Sequence, residues 1–217
     1  IAPSDGRIPA LTASGQRRAE ARSALRRIAP RSHLDRSITE RCMVGFNAGP
    51  PMIPGAYNNN MQIVQTKDHI VILNEMVHTA RIIRLDSEHN IKQLKWEGDS
   101  VAHWENDELV IHTQHFFKDY NFRGMSADAI IHERFRWVNK DTLEYDFTID
   151  DPRSWDVSWS AKLPMRRTED PLFEYACHEG NHGLPGILAG WRRYESLGFN
   201  GDGSPKSDTG TVDTEEN

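Results

Sequence analysis

No apolar run in this chain approaches the ~18–20 residues that a membrane-spanning helix needs, so no helical span is expected. There is no Gly-rich phosphate loop, nucleophile elbow or dinucleotide fingerprint, and Ser100 and Ser126 lack the context of an activated nucleophile. These absences argue against a kinase, a nicotinamide-dependent enzyme and an α/β-hydrolase. No internal repeat is present. Apolar residues make up only 37% and mean hydropathy is low at -0.66, so polar ends and loops dilute a compact centre. The net charge of -6 argues against nucleic acid as the main partner. Cysteine is scarce: Cys42 and Cys177 form either one disulfide closing a long loop in an oxidising compartment or two buried thiols in a reducing one. We take the disulfide as the expectation.

At 217 residues the chain is long enough for one substantial core. It opens at Ile1 rather than Met, which a removed signal peptide would explain and a choice of starting point would explain equally. Charge is unevenly spread. Residues 1–41 hold nine Arg against four acids, leaving 42–217 at -11 by difference. A basic arm lying on an acidic body is the plain reading.

Pro3, Gly6 and Pro9 break up residues 1–11 into an extended arm. A helix over 14–28 follows, capped by Thr12 or Ser14, with Ala21, Ala24, Leu25 and Ile28 as an apolar stripe and Arg18, Arg22 and Arg26 on another face. Residues 45–59 are loop. From Asn60 the pattern becomes short strands: 60–66, 69–76, 78–85, 99–104, 108–116, 129–137, 142–149, 158–166 and 172–178. Leu143, Tyr145, Phe147 and Ile149 alternate with Thr142, Glu144, Asp146 and Thr148, the period of a half-buried antiparallel strand. Such strands close most naturally into a barrel, which removes exposed edges and can hold one small ligand. A second helix begins near Leu184, with Pro185 in its first turn and Ile187, Leu188, Trp191 and Tyr194 on its apolar side. Residues 201–217 have the composition of a disordered acidic tail. The expected fold is mainly β: an antiparallel lipocalin-like β-barrel (42–200) with a C-terminal helix, preceded by an arm and helix (1–41).

Several residues can carry chemistry. Glu133 shares the apolar side of its strand with Ile131, Phe135 and Trp137. A carboxylate facing an apolar interior is costly unless paired, and its raised pKa suits an acid or base. The plain alternative is a structural ion pair, with Arg81 as a partner. Glu75 repeats the pattern more weakly. His178-Glu179-Gly180-Asn181-His182 fits the H-E-x-x-H letters of zinc proteases, but that site needs a helix, and here a strand precedes it while Gly180, Gly183 and Pro185 interrupt it. Without a metal, His178 can move protons near neutral pH, with Glu179 orienting it and Asn181 polarising a carbonyl. Tyr57 and Asn60 stand in an amide-rich run suited to a polar ligand, while Asn58 and Asn59 suit turns. His78 and Arg81 flank the third strand, and an inward Arg binds a carboxylate bidentately. His112 and His115 fall on opposite faces of one strand, so they are not expected to face each other. Trp104 is a stacking or rim aromatic.

The run from Glu97 to Ile111, EGDSVAHWENDELVI, resembles a motif of a large bacterial, often exported, β-rich and mostly uncharacterised family with a GDSxGxWExDTLVV-like hairpin. Glu133-Arg134-Phe135, Tyr57-Asn58-Asn59-Asn60 and the YACHEGN run from Tyr175 to Asn181 look like further signatures, so the resemblance covers roughly residues 40–190. The sequence departs from it at Ala102-His103, where a Gly and a basic residue are expected, and at His182, where an aromatic is expected. The resemblance implies an exported single-domain protein and points to the same residues. It carries no reaction with it.

Three functions follow as expectations. The first is a cofactor-independent acid–base enzyme, a lyase, dehydratase or isomerase. Glu133 and His178 would be its acid–base pair and Glu179 the orienting group. Tyr57, Asn60, Glu75, His78, Arg81, Trp104 and Asn181 would surround a small polar or aromatic substrate. The second is a non-catalytic barrel that binds a small ligand, with Glu133 neutralised by a fixed Arg. The third is a metal-dependent hydrolase using His178 and Glu179. A barrel edge or the N-terminal arm can support a homodimer.

Overall fold

The computed structural model describes residues 2–25, 27–90, 92, 94–118, 120, 122–200 and 202–206. Strands β1 (Met61–Gln65), β2 (His69–Asn74), β3 (Ala80–Leu85), β4 (Asp99–Glu105), β5 (Glu108–Gln114), β6 (Ile130–Asn139), β7 (Thr142–Asp150) and β8 (Trp159–Arg166) form one sheet in chain order. The sheet curls into a half-barrel flanked by helices α1 (Ala13–Leu25) and α2 (Gly183–Ser196). Alternation decides which face is concave. Tyr145, Phe147 and Ile149 are fully buried, and their cross-strand partners Phe135, Glu133 and Ile131 on β6 and Leu163, Ala161 and Trp159 on β8 lie on the same side. Each fully buried large apolar side chain contributes roughly 1.5–3 kcal/mol by removal from water.

The turns behave as their residues dictate. Asn106 takes a left-handed corner at φ 54° between β4 and β5, a conformation Asn tolerates well. Lys140-Asp141 links β6 to β7, and Thr66, Lys67 and Asp68 link β1 to β2.

Three expectations about the sheet are corrected. Among the described residues eight strands form, not nine, because 172–178 joins no ladder: it follows Pro171, and its Tyr175 N–H donates to the His78 side chain (3.1 Å) instead of to a neighbouring strand. The sheet is not antiparallel throughout. β3 and β4 run parallel through only two residue pairs, Arg84↔Val101 and Leu85↔Ala102, because 86–98 cross over instead of turning back. The barrel does not close either, since β1 and β8 stand at the two ends of the sheet. The start of β8 is covered by the N-terminal arm, where the Ser160 N–H donates to the Ala2 carbonyl at 2.9 Å.

Helix α1 is capped by Thr12, whose Oγ1 accepts from the Gly15 N–H at 3.1 Å. It turns its Arg18 face, not its alanine–leucine stripe, toward the body. Arg18 donates to Ser14 Oγ, Ser154 Oγ and the Gly124 and Arg153 carbonyls, while Ala21, Ala24, Leu25 and Ile28 stay exposed. Gly15 permits this approach, since a Cβ there would stand 2.8 Å from the Ser154 carbonyl oxygen. Arg26 lies outside the described residues. So do 201 and 207–217, which hold most of the expected acidic tail.

Cys42 and Cys177 are disulfide-bonded, as expected, with Cα atoms 5.7 Å apart across a separation of 135 residues. The bond fixes the 171–182 segment to the loop before β1. Removing it with reductant, or by Cys177→Ser, is expected to lower unfolding free energy by about 2–4 kcal/mol. Urea denaturation with and without reductant measures this, and coincident curves would show that the crosslink does not constrain the fold.

Candidate functional site

Four places gather polar or titratable side chains. The first is the interior. Arg81 on β3 and Glu133 on β6 are 3% and 0% exposed and meet in a two-pronged ion pair, Nη2–Oε2 2.6 Å and Nη1–Oε1 3.1 Å. The Tyr145 hydroxyl donates to Glu133 Oε1 (2.8 Å) and accepts from the Met52 N–H (3.1 Å). Burial pulls the Arg81 pKa down, but the charge and hydrogen bond of Glu133, with Tyr145 and Glu97, together outweigh this and raise it. Burial, with the Glu133 charge beside it, pushes the Tyr145 phenol well above its ordinary range. The group is therefore a fixed guanidinium, carboxylate and neutral phenol.

A second carboxyl shares the Arg81 field. Glu97 sits in the turn before β4, next to Gly98, where φ is 77° and a Cβ would stand 2.8 Å from Thr113 Cγ2. Its Oε1 is buried without a hydrogen-bond partner. Burial raises its pKa, Arg81 and Lys95 lower it, and the balance lies at about 7. Tyr120 is buried nearby, its hydroxyl donating to the Pro50 carbonyl (3.1 Å). Sequence reasoning missed Glu97, which stood only at the head of the hairpin motif, and Tyr145, which counted as one more apolar position. The polar handle of a Tyr two residue pairs away from Glu133 in the ladder, and so on the same face, was the available signal.

The second place is the convex face of β4, β5 and β6. Asp99 accepts from Arg84 at 2.9 and 3.0 Å and meets His89 Nδ1 at 3.1 Å, and His89 Nε2 lies 3.0 Å from His112 Nδ1. The His112 and His132 rings stand 4.6 Å apart. His115 joins them, 5.9 Å from His89 ring to ring. The strand alternation expected for His112 and His115 breaks because β5 ends at Gln114 and His115 turns at φ 61°. Burial raises the Asp99 pKa, but the Arg84, Asn90 and His89 hydrogen bonds hold it at about 2. Among the described residues, no three His, Cys, Asp or Glu side chains are disposed to hold a metal ion.

The third place surrounds the disulfide. His178 and Glu179 are exposed on a turn, far in environment from fully buried Glu133, and the two halves of the expected acid–base pair are not brought together. The Asn181 amide donates to the Glu40 carbonyl (2.9 Å) and its Oδ1 accepts from the Leu184 N–H (3.2 Å), which caps α2 and ties it to the 37–45 loop. His78 accepts from the Tyr175 N–H. A hydrogen bond with the Tyr57 phenol raises the Tyr175 pKa. Trp104 stands at the rim, 45% exposed. Glu75 is 3% exposed, and β2 stops one residue short of it because its backbone is helical (φ -61°).

The fourth place is the unclosed seam. A cavity of about 710 Å³ lies where β1 and β8 fail to meet. Met52, Ile53, Met61, Ile63, Trp137, Leu143 and Met165 give it apolar walls, and Asn47, Asn59, Asn60, Gln62 and Asn74 supply amides. Arg166, Arg167 and Thr168 complete one side, and among the described residues no carboxylate, histidine, tyrosine or cysteine lines it. Of the expected site residues, Asn60 alone is on its wall. No family model, curated protein or solved structure matches the chain.

Two outcomes follow. Glu133→Gln, which strips Arg81 of its counter-charge, is expected to cost about 3–5 kcal/mol, and the double variant Arg81→Met/Glu133→Leu to cost less than the two single changes summed. Urea unfolding of the unaltered protein, Arg81→Met, Glu133→Leu and the double variant measures the coupling, and simple additivity would contradict the pair. Glu97 holds its proton up to about pH 7 when folded, against an ordinary 4.5, so its contribution to stability is full below 4.5 and is lost as pH rises through 7. Glu97→Gln should flatten that decline in unfolding free energy between pH 5 and pH 8, and an unchanged slope would count against it.

Proposed function

We propose that this protein binds a small amphipathic molecule in the seam cavity without transforming it. One observation carries the reading: among the described residues the cavity wall combines apolar side chains and amides and offers no acid–base group apart from arginine. Its volume falls within the ~300–1,000 Å³ of small-molecule sites. Glu133, the best acid–base candidate in the sequence, is neutralised by Arg81, which is the state a carrier favours. In this reading the half-barrel works as a lipocalin-like barrel does, holding one ligand inside a curved sheet. The disulfide supports an exported, periplasmic or secreted, setting, in keeping with the bacterial family that the hairpin and YACHEGN motifs resemble. The partner is the ligand, and no cofactor enters the reading.

A cofactor-independent acid–base enzyme is the second reading. Glu97 favours it, with a carboxyl poised at about pKa 7 beside a guanidinium.

The neutral fluorophore N-phenyl-1-naphthylamine tests the first reading. It should brighten on binding, and Trp137→Ala or Met165→Arg should weaken its affinity about tenfold or more while the far-UV dichroism stays unchanged. Binding indifferent to both substitutions would move the ligand away from the seam.

A further inference from the structure

The arginines of the strands hold carboxylates, with one exception. Arg81 pairs with Glu133, Arg84 with Asp99, Arg134 with Glu105 and Glu108, and Arg136 with Glu108 and Glu144. Arg166, the last residue of β8, lies on the wall of the seam cavity, and among the described residues its side chain has no ion pair or hydrogen bond. Arg167 beside it meets Glu169 only loosely, Nε–Oε1 3.3 Å between two exposed side chains. Both arginines are exposed and both line the cavity, which puts them at its mouth. Much of the amide capacity of the wall is already committed: Asn47, Asn59 and Asn74 donate to the Asn58, Gly55 and Ala48 carbonyls. With two cations and, among the described residues, no carboxylate, the wall is positive in a molecule whose net charge is -6.

We infer that the ligand is an anionic amphiphile, a single-chain carboxylate whose head meets Arg166 at the cavity mouth and whose hydrocarbon tail lies against Met52, Met61, Trp137, Leu143 and Met165. This rests on the reading of the seam cavity as a ligand site. A guanidinium offers a fork of N–H donors that a carboxylate can accept two at a time. At the mouth the head keeps part of its hydration, so the pair forms without the full desolvation cost that a buried charge meets. A neutral head gains a hydrogen bond there but no charge attraction. A cationic head meets like charge from Arg166 and Arg167, with no carboxylate on the wall to offset it.

Calorimetric titration of the full chain with decanoate, 1-decanol and decyltrimethylammonium tests this. At about pH 7.5 the three carry anionic, neutral and cationic heads on one tail length. Decanoate is expected to bind at least about fivefold more tightly than 1-decanol, and the cation most weakly. Arg166→Met should remove most of the preference for decanoate over 1-decanol, and Arg166→Lys, which keeps the charge and loses the fork, should retain part of it. Raising salt from about 0.05 M to about 1 M should narrow the same gap. The preference is a ratio taken within each protein, so a loss of folding, which weakens both ligands, does not imitate the result. Equal affinity for decanoate and 1-decanol, or tightest binding by the cation, would overturn the inference while leaving the cavity a ligand site. A preference for decanoate that survives Arg166→Met would overturn it as well. Failure of all three to bind would remove the ligand-site reading itself.

Discussion

The ion pair between Arg81 and Glu133 spans the weakest joint of the sheet. β3 and β4 share only two residue pairs, in the slightly less favourable parallel arrangement, whereas every other neighbouring pair of strands is antiparallel and longer. Without further ties, β1–β3 would be a loosely attached flap on β4–β8. Arg81 reaches from β3 across the concave side to β6, and Arg84 reaches from the same strand on the convex side to Asp99 on β4. One strand is thus clamped from both faces by guanidinium–carboxylate pairs. The inner clamp is fully desolvated, so neither partner tolerates loss of the other.

That clamp also places the seam cavity. Glu133 accepts from the Tyr145 hydroxyl, which in turn accepts from the Met52 N–H, so the loop before β1 is anchored to the interior charge. The same loop carries Asn47, Met52 and Ile53 onto one wall of the cavity, and β1 and β8 supply the facing edges. The disulfide and the Asn181 bridge hold the base of this loop region from outside. Charge in the core therefore acts as architecture, and the cavity beside it is lined by apolar side chains, amides and two arginines.

Much of the sheet was legible because period-two alternation reports burial directly. β7 and β8 show it cleanly, and Glu133 stood out as the one charge on an apolar row. The parallel joint was not legible, since nothing in 86–98 marks a crossover rather than a long hairpin. The 172–178 segment has strand-like composition, but its main chain is held by a histidine side chain and a disulfide, which periodicity does not encode. Helix α1 misled for a related reason: Arg18 finds four oxygens, and that outweighs burying a few alanines. His178 drew attention by chemistry alone, and its exposure depends on where the disulfide sets the turn. Asn47 was invisible, because an amide in a Gly- and Pro-rich loop reads as turn chemistry until its partners are known.

The central claim is that ligand enters the seam and leaves the charged interior untouched. Amide proton–nitrogen NMR spectra recorded during titration with N-phenyl-1-naphthylamine test it most directly, because ring currents mark the residues next to the bound molecule. The account predicts shifts confined to residues 47–63, Asn74, 137–143 and 164–168. Shifts centred on Arg81, Glu97 and Tyr120, with the seam unperturbed, would contradict it.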